Sequence, residues 1–259
     1  MKKYFQSFLK YKFLLSELVK KGIKLKYRRS YLGIIWTLIE PLLTMIVLSV
    51  VFSTILGKKD PTFPVYILTG RLLYSFFSQS TTAAMKSIRS NQAMIKKVYV
   101  PKYLYPLSCC VYNYIIFLIS LIVLAVVSVV LHVYPTFQLI WAIVPLITLF
   151  FLSYGAGLIL STVAVFFRDM EYLWSVVTML IMYTCAIFYY PEKLLHSAWK
   201  GYLLKLNPLY CIIANFRNAV YGTPMNMKMM AYSIVFSIIA VIVGLRVFYK
   251  KQDNFILYI

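Results

Sequence analysis

The longest part of this sequence without a charged side chain covers residues 103–167, between Lys102 and Arg168. A helix crosses a bilayer core about 30 Å thick with about 20 apolar residues, so this stretch is too long for one crossing and suits two. A short break at residues 132–136, which include Pro135, predicts a tight turn between them. The chain is also 62% apolar and 13% charged, whereas soluble domains average about 45–50% and about 25%. The sequence therefore predicts an all-α integral membrane protein.

Further apolar stretches bring the predicted number of transmembrane helices to six. The first contains Glu40 and Pro41. The second is the most polar, with Arg71 and Gln79, and must turn one face to protein or water. A count of five would leave the two ends of the chain on opposite sides of the membrane. The predicted spans are residues 34–56, 67–85, 104–131, 137–167, 172–190 and 229–247, within a transmembrane domain 34–250 that is followed by a tail 251–259.

The basic residues are distributed unevenly between the two sides of this arrangement. Of the 27 lysines and arginines, 19 lie on one side, ten of them in residues 1–33, and eight lie on the other. The positive-inside rule then places both termini in the cytoplasm of a multi-pass plasma membrane protein. The net charge of +20 is explained by topology and by attraction to anionic membrane lipids, worth about 1 kcal/mol per basic residue near the surface. A nucleic acid partner is not needed.

Residues 1–33 do not span, and their apolar residues recur every three or four positions among lysines. This pattern predicts an amphipathic helix on the cytoplasmic lipid surface, with a break at Gly22. One interpretation is a plain lipid anchor. The other is that a basic cluster receives an anionic lipid headgroup, to which guanidinium groups are well suited. The cluster consists of Lys24, Lys26, Arg28 and Arg29.

Residues 86–102 form a longer connection than two neighbouring spans require. A cytoplasmic helix over residues 88–101 is predicted, with Ser90 or Asn91 as its N-cap and Pro101 at its end. An exposed apolar stripe is expected along it, formed by Ile88, Met94, Ile95 and Val98. The stripe suits docking onto another protein, and it equally suits packing on the chain's own helices.

Residues 191–227, between the fifth and sixth spans, are too apolar for a solvated loop and too interrupted to cross the membrane. Two short helices that dip back into the outer leaflet fit this pattern. Irregular backbone at that depth must be buried in protein or line a water-filled cavity. The segment is therefore expected at the outer mouth of a pathway.

Motifs for catalysis or nucleotide binding are absent from the sequence. It has no phosphate-binding G-x-x-x-x-G-K-[ST] loop, no H-E-x-x-H and no G-x-S-x-G. Its two histidines and four cysteines are not spaced as metal ligands, and we infer neither a metal site nor a disulfide. No catalytic residue is assigned, and transport would need energy from a partner chain. Aromatic residues make up 17% of the chain, which suits interfacial belts and also walls on which sugar rings stack.

The residues from Leu25 to Pro41 (LKYRRSYLGIIWTLIEP) resemble the start of the first span in membrane subunits of type 2 ABC exporters. The resemblance is to the branch that exports O-antigen and teichoic acid polysaccharides. The segment 91–101 resembles the coupling segment of that branch, and the Phe167-Arg168-Asp169 triplet resembles its second inner loop. Asn207-Pro208, Arg217 and Tyr221-Gly222 resemble its outer re-entrant region. Glu40 is a departure, because that position often carries Asn or another polar residue.

The resemblance implies a homodimeric permease with two copies of a separate ABC ATPase subunit, which would bind ATP and magnesium. The complex would move an undecaprenyl-diphosphate-linked glycan outward, with the diphosphate received by the basic cluster of residues 24–29. The residues that the resemblance assigns to ATPase coupling are Ile88, Asn91, Met94, Ile95, Lys97, Val98, Tyr99, Pro101, Arg168 and Asp169. The aromatic residues expected along the glycan channel are Trp36, Tyr172, Trp174, Tyr183 and Tyr189.

Three other functions are weighed against glycan export. A type 2 ABC exporter of drugs or small lipids would share the fold and differ in its channel. A membrane-embedded polyprenyl-phosphate glycan transferase would need clustered acids or histidines within the membrane, which the sequence lacks. A scaffold subunit would need neither a polar second span nor an outer re-entrant segment.

Overall fold

The computed structural model describes residues 11–28, 30–56, 60–97, 100–191, 201 and 204–258. Regular structure in these residues is entirely helical. The α-helices are α1 (Lys12–Tyr27), α2 (Trp36–Leu56), α3 (Phe63–Ser90), α4 (Gln92–Ile95), α5 (Leu104–Val130), α6 (Ile143–Phe166), α7 (Met170–Thr184), α8 (Pro208–Val220), α9 (Met227–Lys251) and α10 (Phe255–Tyr258). Short 3₁₀ helices precede α2, α6 and α10, at Gly33–Ile35, Phe137–Ala142 and Gln252–Asn254.

Among the described residues, four helical segments are long and apolar enough to cross a membrane. They are Gly33–Phe52, Leu104–Val130, Phe137–Phe166 and Met227–Tyr258. They coincide with the first, third, fourth and sixth predicted spans. Helix α3 has 28 residues but is polar, and α7 has only 15 residues. The count of six spans therefore stays a prediction.

The fifth predicted span is shorter as a helix than the sequence indicated. Helix α7 ends at Thr184, and the chain turns through residues 185–190. Ala186 has a positive φ of 49°, which an α-helix does not accommodate. Its carbonyl oxygen accepts hydrogen bonds from the Tyr66 hydroxyl and from Arg217, both at 3.0 Å. The expectation of a helix up to Tyr190 is therefore wrong, because tertiary hydrogen bonds hold this turn.

Helix α3 lies at the centre of the bundle, in contact with α2, α5, α6, α7 and α8. The most extensive contact between two helices joins α6 and α9. Two glycines allow it: a Cβ on Gly155 would lie 2.6 Å from backbone atoms of Ala240 and Val241, and one on Gly244 would lie 2.8 Å from the Gly155 carbonyl oxygen. Small residues of this kind let membrane helices approach closely.

Helix α2 is at the periphery and contacts α3 and α5. Its side chains are largely exposed, and within it only Thr37 and Met45 are buried among the described side chains. Apolar side chains exposed along a span face either lipid or another chain. Helix α2 is thus the most weakly held of the long helices.

Helix α1 runs through Gly22 without interruption, so the predicted break at this glycine is wrong. A Cβ at Gly22 would collide with the Tyr112 ring of α5, and the missing side chain lets the two helices touch. Leu18 of α1 is buried in a cluster with Leu104 and Tyr105 of α5. One face of α1 is therefore covered by protein.

The predicted coupling helix over residues 88–101 is also corrected. Helix α3 continues to Ser90, and α4 is a single turn after it. Ile88 is fully buried and Ile95 is buried, both in the cluster that contains Leu104. The exposed apolar stripe is wrong for these two residues, because the bundle itself covers their side chains. Val98 and Tyr99 lie outside the described residues.

The end of the chain packs on the same end of the bundle as α1. Phe255 is fully buried, with ring centroids 5.2 Å from Phe248 and 5.9 Å from Phe166. Lys102 donates a hydrogen bond from Nζ to the Gln252 carbonyl at 2.6 Å. The predicted tail is therefore attached to the bundle through residue 258.

Candidate functional site

A large cavity opens between α1, α3 and α5. Its volume is about 750 Å³. Three lysines from two helices line it, Lys21 and Lys26 of α1 and Lys86 of α3. Amide and hydroxyl side chains occupy much of the remaining wall, namely Ser78, Gln79, Thr82, Ser90, Asn91, Ser108 and Asn113. We call this space the basic cavity.

Lys26 crosses the cavity towards α3. Its Nζ donates a hydrogen bond to Oε1 of Gln79 at 2.8 Å. Burial lowers the pKa of Lys26, and the nearby Glu40 carboxylate opposes this shift without cancelling it. A phosphate group at this point would supply the anion that a partly desolvated ammonium lacks.

The structure separates the four cations that the sequence analysis grouped. Lys24 and Arg28 line a groove of about 640 Å³ on an adjacent face of α1, together with Glu17, Lys20 and Lys21, the last of which also lines the basic cavity. Arg29 lies outside the described residues. Only Lys26 of the predicted cluster reaches the basic cavity. Lys21 and Lys86 were missed, although the helical spacing of Lys86 from Thr82 and Gln79 was visible in the sequence.

The coupling segment lies beside this cavity. Asn91 lines the cavity and donates a hydrogen bond from Nδ2 to the Ser87 carbonyl at 2.8 Å, which closes the end of α3. Met94 and Pro101 are half-buried, and Lys97 is exposed. In the described part of this segment, Lys96 and Lys97 are therefore exposed, whereas Ile95 and Val100 are buried.

The loop between α6 and α7 carries Arg168 and Asp169, both exposed. The Asp169 carbonyl accepts hydrogen bonds from the backbone of Tyr172 and Leu173, at 3.0 and 3.1 Å, so this residue starts α7. Both residues are accessible to a partner chain.

Glu171, which the sequence analysis did not single out, joins α7 to α3. Its carboxylate forms ion pairs with Lys86 and with Arg89, each at 3.0 Å. Since Arg89 lies next to the coupling segment, we call this pair of bridges the Glu171 clasp. It connects the coupling segment to the first turn of α7.

The aromatic residues predicted for a channel do not share one environment. Tyr172 is 77% exposed and Tyr183 is 58% exposed, and Trp36 is also exposed in a single protomer. Trp174 instead faces α3, where its Nε1 donates to Thr81 Oγ1 at 3.2 Å. Tyr189 donates from its hydroxyl to the Tyr183 carbonyl at 2.9 Å.

At the opposite end of the bundle, α8 is held by a buried arginine. Asn207 caps this helix by accepting the Leu209 amide at 3.0 Å. Arg217 donates from Nη2 to the Tyr66 carbonyl at 3.0 Å, and its guanidinium lies 3.5 Å from the centre of the Tyr66 ring. Two further bonds join Arg217 to the Ala186 carbonyl and to Thr69 Oγ1. Arg217 thus links α8, α3 and the turn after α7.

Known proteins resemble this chain over most of its length. Residues 14–221 match the family described as ABC-2 type transporter. The O-antigen export system permease protein RfbA of Klebsiella pneumoniae is 30% identical over 248 residues, which cover 93% of each chain. The RfbA protein of Myxococcus xanthus is 26% identical over 95% of each chain. The polysialic acid transport protein KpsM of Escherichia coli is 24% identical, over 90% of this chain and 91% of its own.

The match to the family covers more than half of the chain, and it includes the basic cavity, the coupling segment and α8. Membership of this family also implies an ABC ATPase partner. The chain belongs to the ABC-2 type transporter family and is a membrane permease subunit, homologous to O-antigen and polysialic acid export permeases.

Proposed function

We propose that this chain forms a homodimer with two copies of an ABC ATPase subunit and exports a lipid-linked polysaccharide across the plasma membrane. The carrier lipid is undecaprenyl diphosphate, and both termini of the permease lie in the cytoplasm. The observation that carries the proposal is the basic cavity, whose three lysines stand on the side where most of the basic residues lie. ATP and magnesium are bound by the partner subunit.

The composition of the cavity suits a diphosphate with sugar attached. Lysine is a flexible point charge that binds phosphate well, and Lys21, Lys26 and Lys86 approach from two helices. The amides and hydroxyls of the same wall match sugar hydroxyl groups. The relatives named for O-antigen and polysialic acid transport support a polysaccharide as the cargo.

Coupling to ATP hydrolysis takes place at the α1 end of the bundle. The ATPase docks on the surface formed by Asn91, Lys97, Arg168 and Asp169, whose exposed groups are polar or charged. Movement of this surface passes through the Glu171 clasp to α7. Rigid-body movement of helices is a common response to a docked motor. The exposed aromatic faces of α2 and α7 then form the channel with the partner protomer.

The test is export in cells that lack the chromosomal copy of the gene. Lys26→Met and Lys21→Met should each lower export about 10- to 100-fold, which corresponds to the loss of one hydrogen bond to a charged group. Undecaprenyl-linked glycan should accumulate on the cytoplasmic side. Lys250→Met, which removes an exposed charge at the end of α9, is the matched control. Unchanged export in both cavity variants, with protein present at the wild-type level, would overturn the proposal.

A further inference from the structure

Polar residues form one continuous face of the central helix α3. Arg71, Ser75, Gln79, Thr82 and Lys86 recur every three or four positions and therefore lie on the same side of the helix. All five are half-buried or exposed, whereas most of the residues between them are buried in the bundle. The last three line the basic cavity. The polar face thus continues from the cavity along α3, into the part of the bundle where α2 spans.

A second, smaller cavity lies at the continuation of this face, between α2, α3 and α5. Its volume is about 60 Å³, enough for a few water molecules. Lys26, Gln79 and Asn113 belong to the walls of both cavities, so the two spaces adjoin. We call the smaller space the polar chamber. Its polar side chains deeper than these three include Glu40 and Thr44 of α2 and Arg71 and Ser75 of α3.

Two charges in the polar chamber have no ion-pair partner within the described part of the chain. The hydrogen bond that Arg71 makes there is to Met182 Sδ at 3.8 Å, and its guanidinium lies 5.9 Å from the centre of the Tyr74 ring. The Glu40 carboxylate makes no salt bridge and accepts no hydrogen bond in that part, although it lies near enough to Lys26 to act on its pKa. A charge at membrane depth costs about 3 kcal/mol or more and marks a water-filled or substrate-binding space. Glu40 and Arg71 therefore indicate that this chamber serves a polar ligand.

The donors and acceptors of the chamber select the class of ligand. Arg71 and Lys26 donate, the Glu40 carboxylate accepts, and the amides and hydroxyls do both. A sugar hydroxyl is both donor and acceptor and can use all of these groups. A diphosphate offers no hydrogen-bond donor to the Glu40 carboxylate, and a hydrocarbon chain would leave every one of these groups unpaired. The chamber accordingly fits a polyhydroxylated group rather than a lipid or a phosphate.

In this structure the chamber is too small for a sugar ring, and one interaction separates it from the basic cavity. The amide of Gln79 accepts the Lys26 hydrogen bond and donates its own to Ser75 Oγ at 2.9 Å. The outer wall is α2, the weakly packed helix. Displacement of α2 from α3 would enlarge the chamber at little cost in buried contacts.

We infer that the polar chamber is the first intramembrane sugar subsite, closed here by the bond between Lys26 and Gln79 and opened by movement of α2. The inference rests on the proposed function, because it takes the glycan as substrate. The headgroup occupies the basic cavity, and the sugars that follow it replace the Lys26–Gln79 bond and contact Glu40 and Arg71. Glu40, a departure from the usual sequence of this region, then acts as an acceptor for sugar hydroxyls.

The first experiment measures access to the chamber in inside-out membrane vesicles that contain the full complex. Thr44→Cys and, as matched control, Ile122→Cys are made in a Cys109→Ala background, because the other three cysteines are buried. Ile122 is 56% exposed on the apolar surface of α5, close along that helix to Ser120 of the chamber wall. While the complex hydrolyses ATP and α2 moves, a small, neutral and water-soluble methanethiosulfonate should react about tenfold faster or more at position 44, since each unit of thiol pKa raised by an apolar environment costs about that factor.

The same vesicles, prepared with an ATPase-inactive partner so that glycan stays bound, should show slower labelling at position 44. Equal rates at positions 44 and 122 would overturn the chamber as a hydrated space. Fast labelling that bound glycan does not slow, in a complex whose wild-type form exports glycan, would overturn the sugar subsite alone. A wild-type complex that exports no glycan would instead overturn the proposed function.

The second experiment removes the two charges. Arg71→Met and Glu40→Gln should each lower glycan export about tenfold or more, the effect of losing one charged hydrogen bond, while the complex still assembles. Arg246→Met, at an exposed arginine of α9, is the control and should export normally. Normal export in both chamber variants would overturn the inference and leave the role of the basic cavity intact.

Discussion

Replacement of the buried Arg217 by a neutral side chain should damage the protein less than replacement by lysine. Its guanidinium donates to two carbonyl oxygens on different elements, those of Tyr66 and Ala186, each at 3.0 Å. Both oxygens have a second donor: the Thr69 hydroxyl at 2.8 Å for Tyr66, and the Tyr66 hydroxyl at 3.0 Å for Ala186. Removing the guanidinium therefore leaves neither carbonyl without a partner.

The expected losses of stability follow from these hydrogen bonds. Arg217→Met fills similar space, loses the charged hydrogen bonds and also removes the cost of burying a charge, for a net loss of about 1–2 kcal/mol. Arg217→Lys keeps the buried charge, cannot reach both carbonyls with its single nitrogen and loses the stacking on Tyr66. A buried charge without its partners costs about 3–5 kcal/mol. The order of stability should be wild type, then Met, then Lys.

The assay is the melting temperature of the detergent-purified protein, measured as the fraction that remains monodisperse after heating. One kcal/mol corresponds to about 2–4 °C for a chain of this size, so the Lys variant should melt several degrees below the Met variant. Arg246→Met and Arg246→Lys, at an exposed position, should change stability by no more than about 0.5 kcal/mol. A Lys variant as stable as the Met variant would refute the reasoning.

Gly70 offers an independent check on the same contact. A Cβ at this position would collide with Nη2 of Arg217, so Gly70→Ala should lower stability by about 1–3 kcal/mol in the wild type. In the Arg217→Met background the collision is relieved, and alanine in a helix is favoured over glycine by about 0.5–1 kcal/mol. The same substitution should then be neutral or stabilising. Equal losses in both backgrounds would show that Arg217 is not the group that excludes a side chain at Gly70.

Three shorter predictions concern the α1 end and the packing of α9. Glu171→Gln removes both ion pairs of the clasp and should change stability by less than about 1 kcal/mol. It should lower the amount of glycan exported per ATP hydrolysed in proteoliposomes. An unchanged ratio of export to hydrolysis would disprove the link to α7. Burial lowers the pKa of Lys26, and the side chain is charged below this pKa and neutral above it. Export by the wild type should therefore fall as the pH rises through the pKa of Lys26. The Lys26→Arg variant should keep its export over the same pH series, because arginine stays charged. Gly155→Ala brings a Cβ against the α9 backbone and should lower the melting temperature by the equivalent of about 1–3 kcal/mol, while a melting temperature equal to wild type would contradict the close contact.

The sequence predicted the helices whose environment is uniform along their length. The uncharged residues 103–167 gave the two spans that the structure has at Leu104–Val130 and Phe137–Phe166, since a long apolar stretch has one way to satisfy its backbone in lipid. The sequence did not predict features that depend on which neighbouring element covers a side chain. Ile88 and Ile95 were expected to be exposed, either to a partner or to the chain's own helices, because an apolar stripe does not specify which surface covers it; the bundle buries both side chains.

At the candidate site, too, the sequence predicted some residues and missed those that depend on tertiary packing. Lys26 was predicted because the basic cluster is contiguous in the chain, whereas Lys86 was missed because it reaches the cavity only through the packing of α3 against α1. The role of Arg217 was inaccessible for a related reason. Its partners are two backbone carbonyls, which every sequence contains, and only the turn at Ala186 brings one of them within reach.

Two charged features of this bundle, Arg217 and the Glu171 clasp, are attached to α3, and this arrangement indicates which parts can move. Arg217 fixes one end of the helix to α8, and the Glu171 clasp fixes the other end to α7. Between these two ends, the buried faces of α3 pack against α5 and α6. This helix is therefore the most firmly held element of the bundle, although its polar composition suits lipid poorly. Helix α2 is apolar and has few buried contacts. In the proposed transport cycle, a route along the polar face of α3 would therefore have one fixed wall, which carries the hydrogen-bonding groups, and one displaceable wall, α2, on which the conformational work of the ATPase would act.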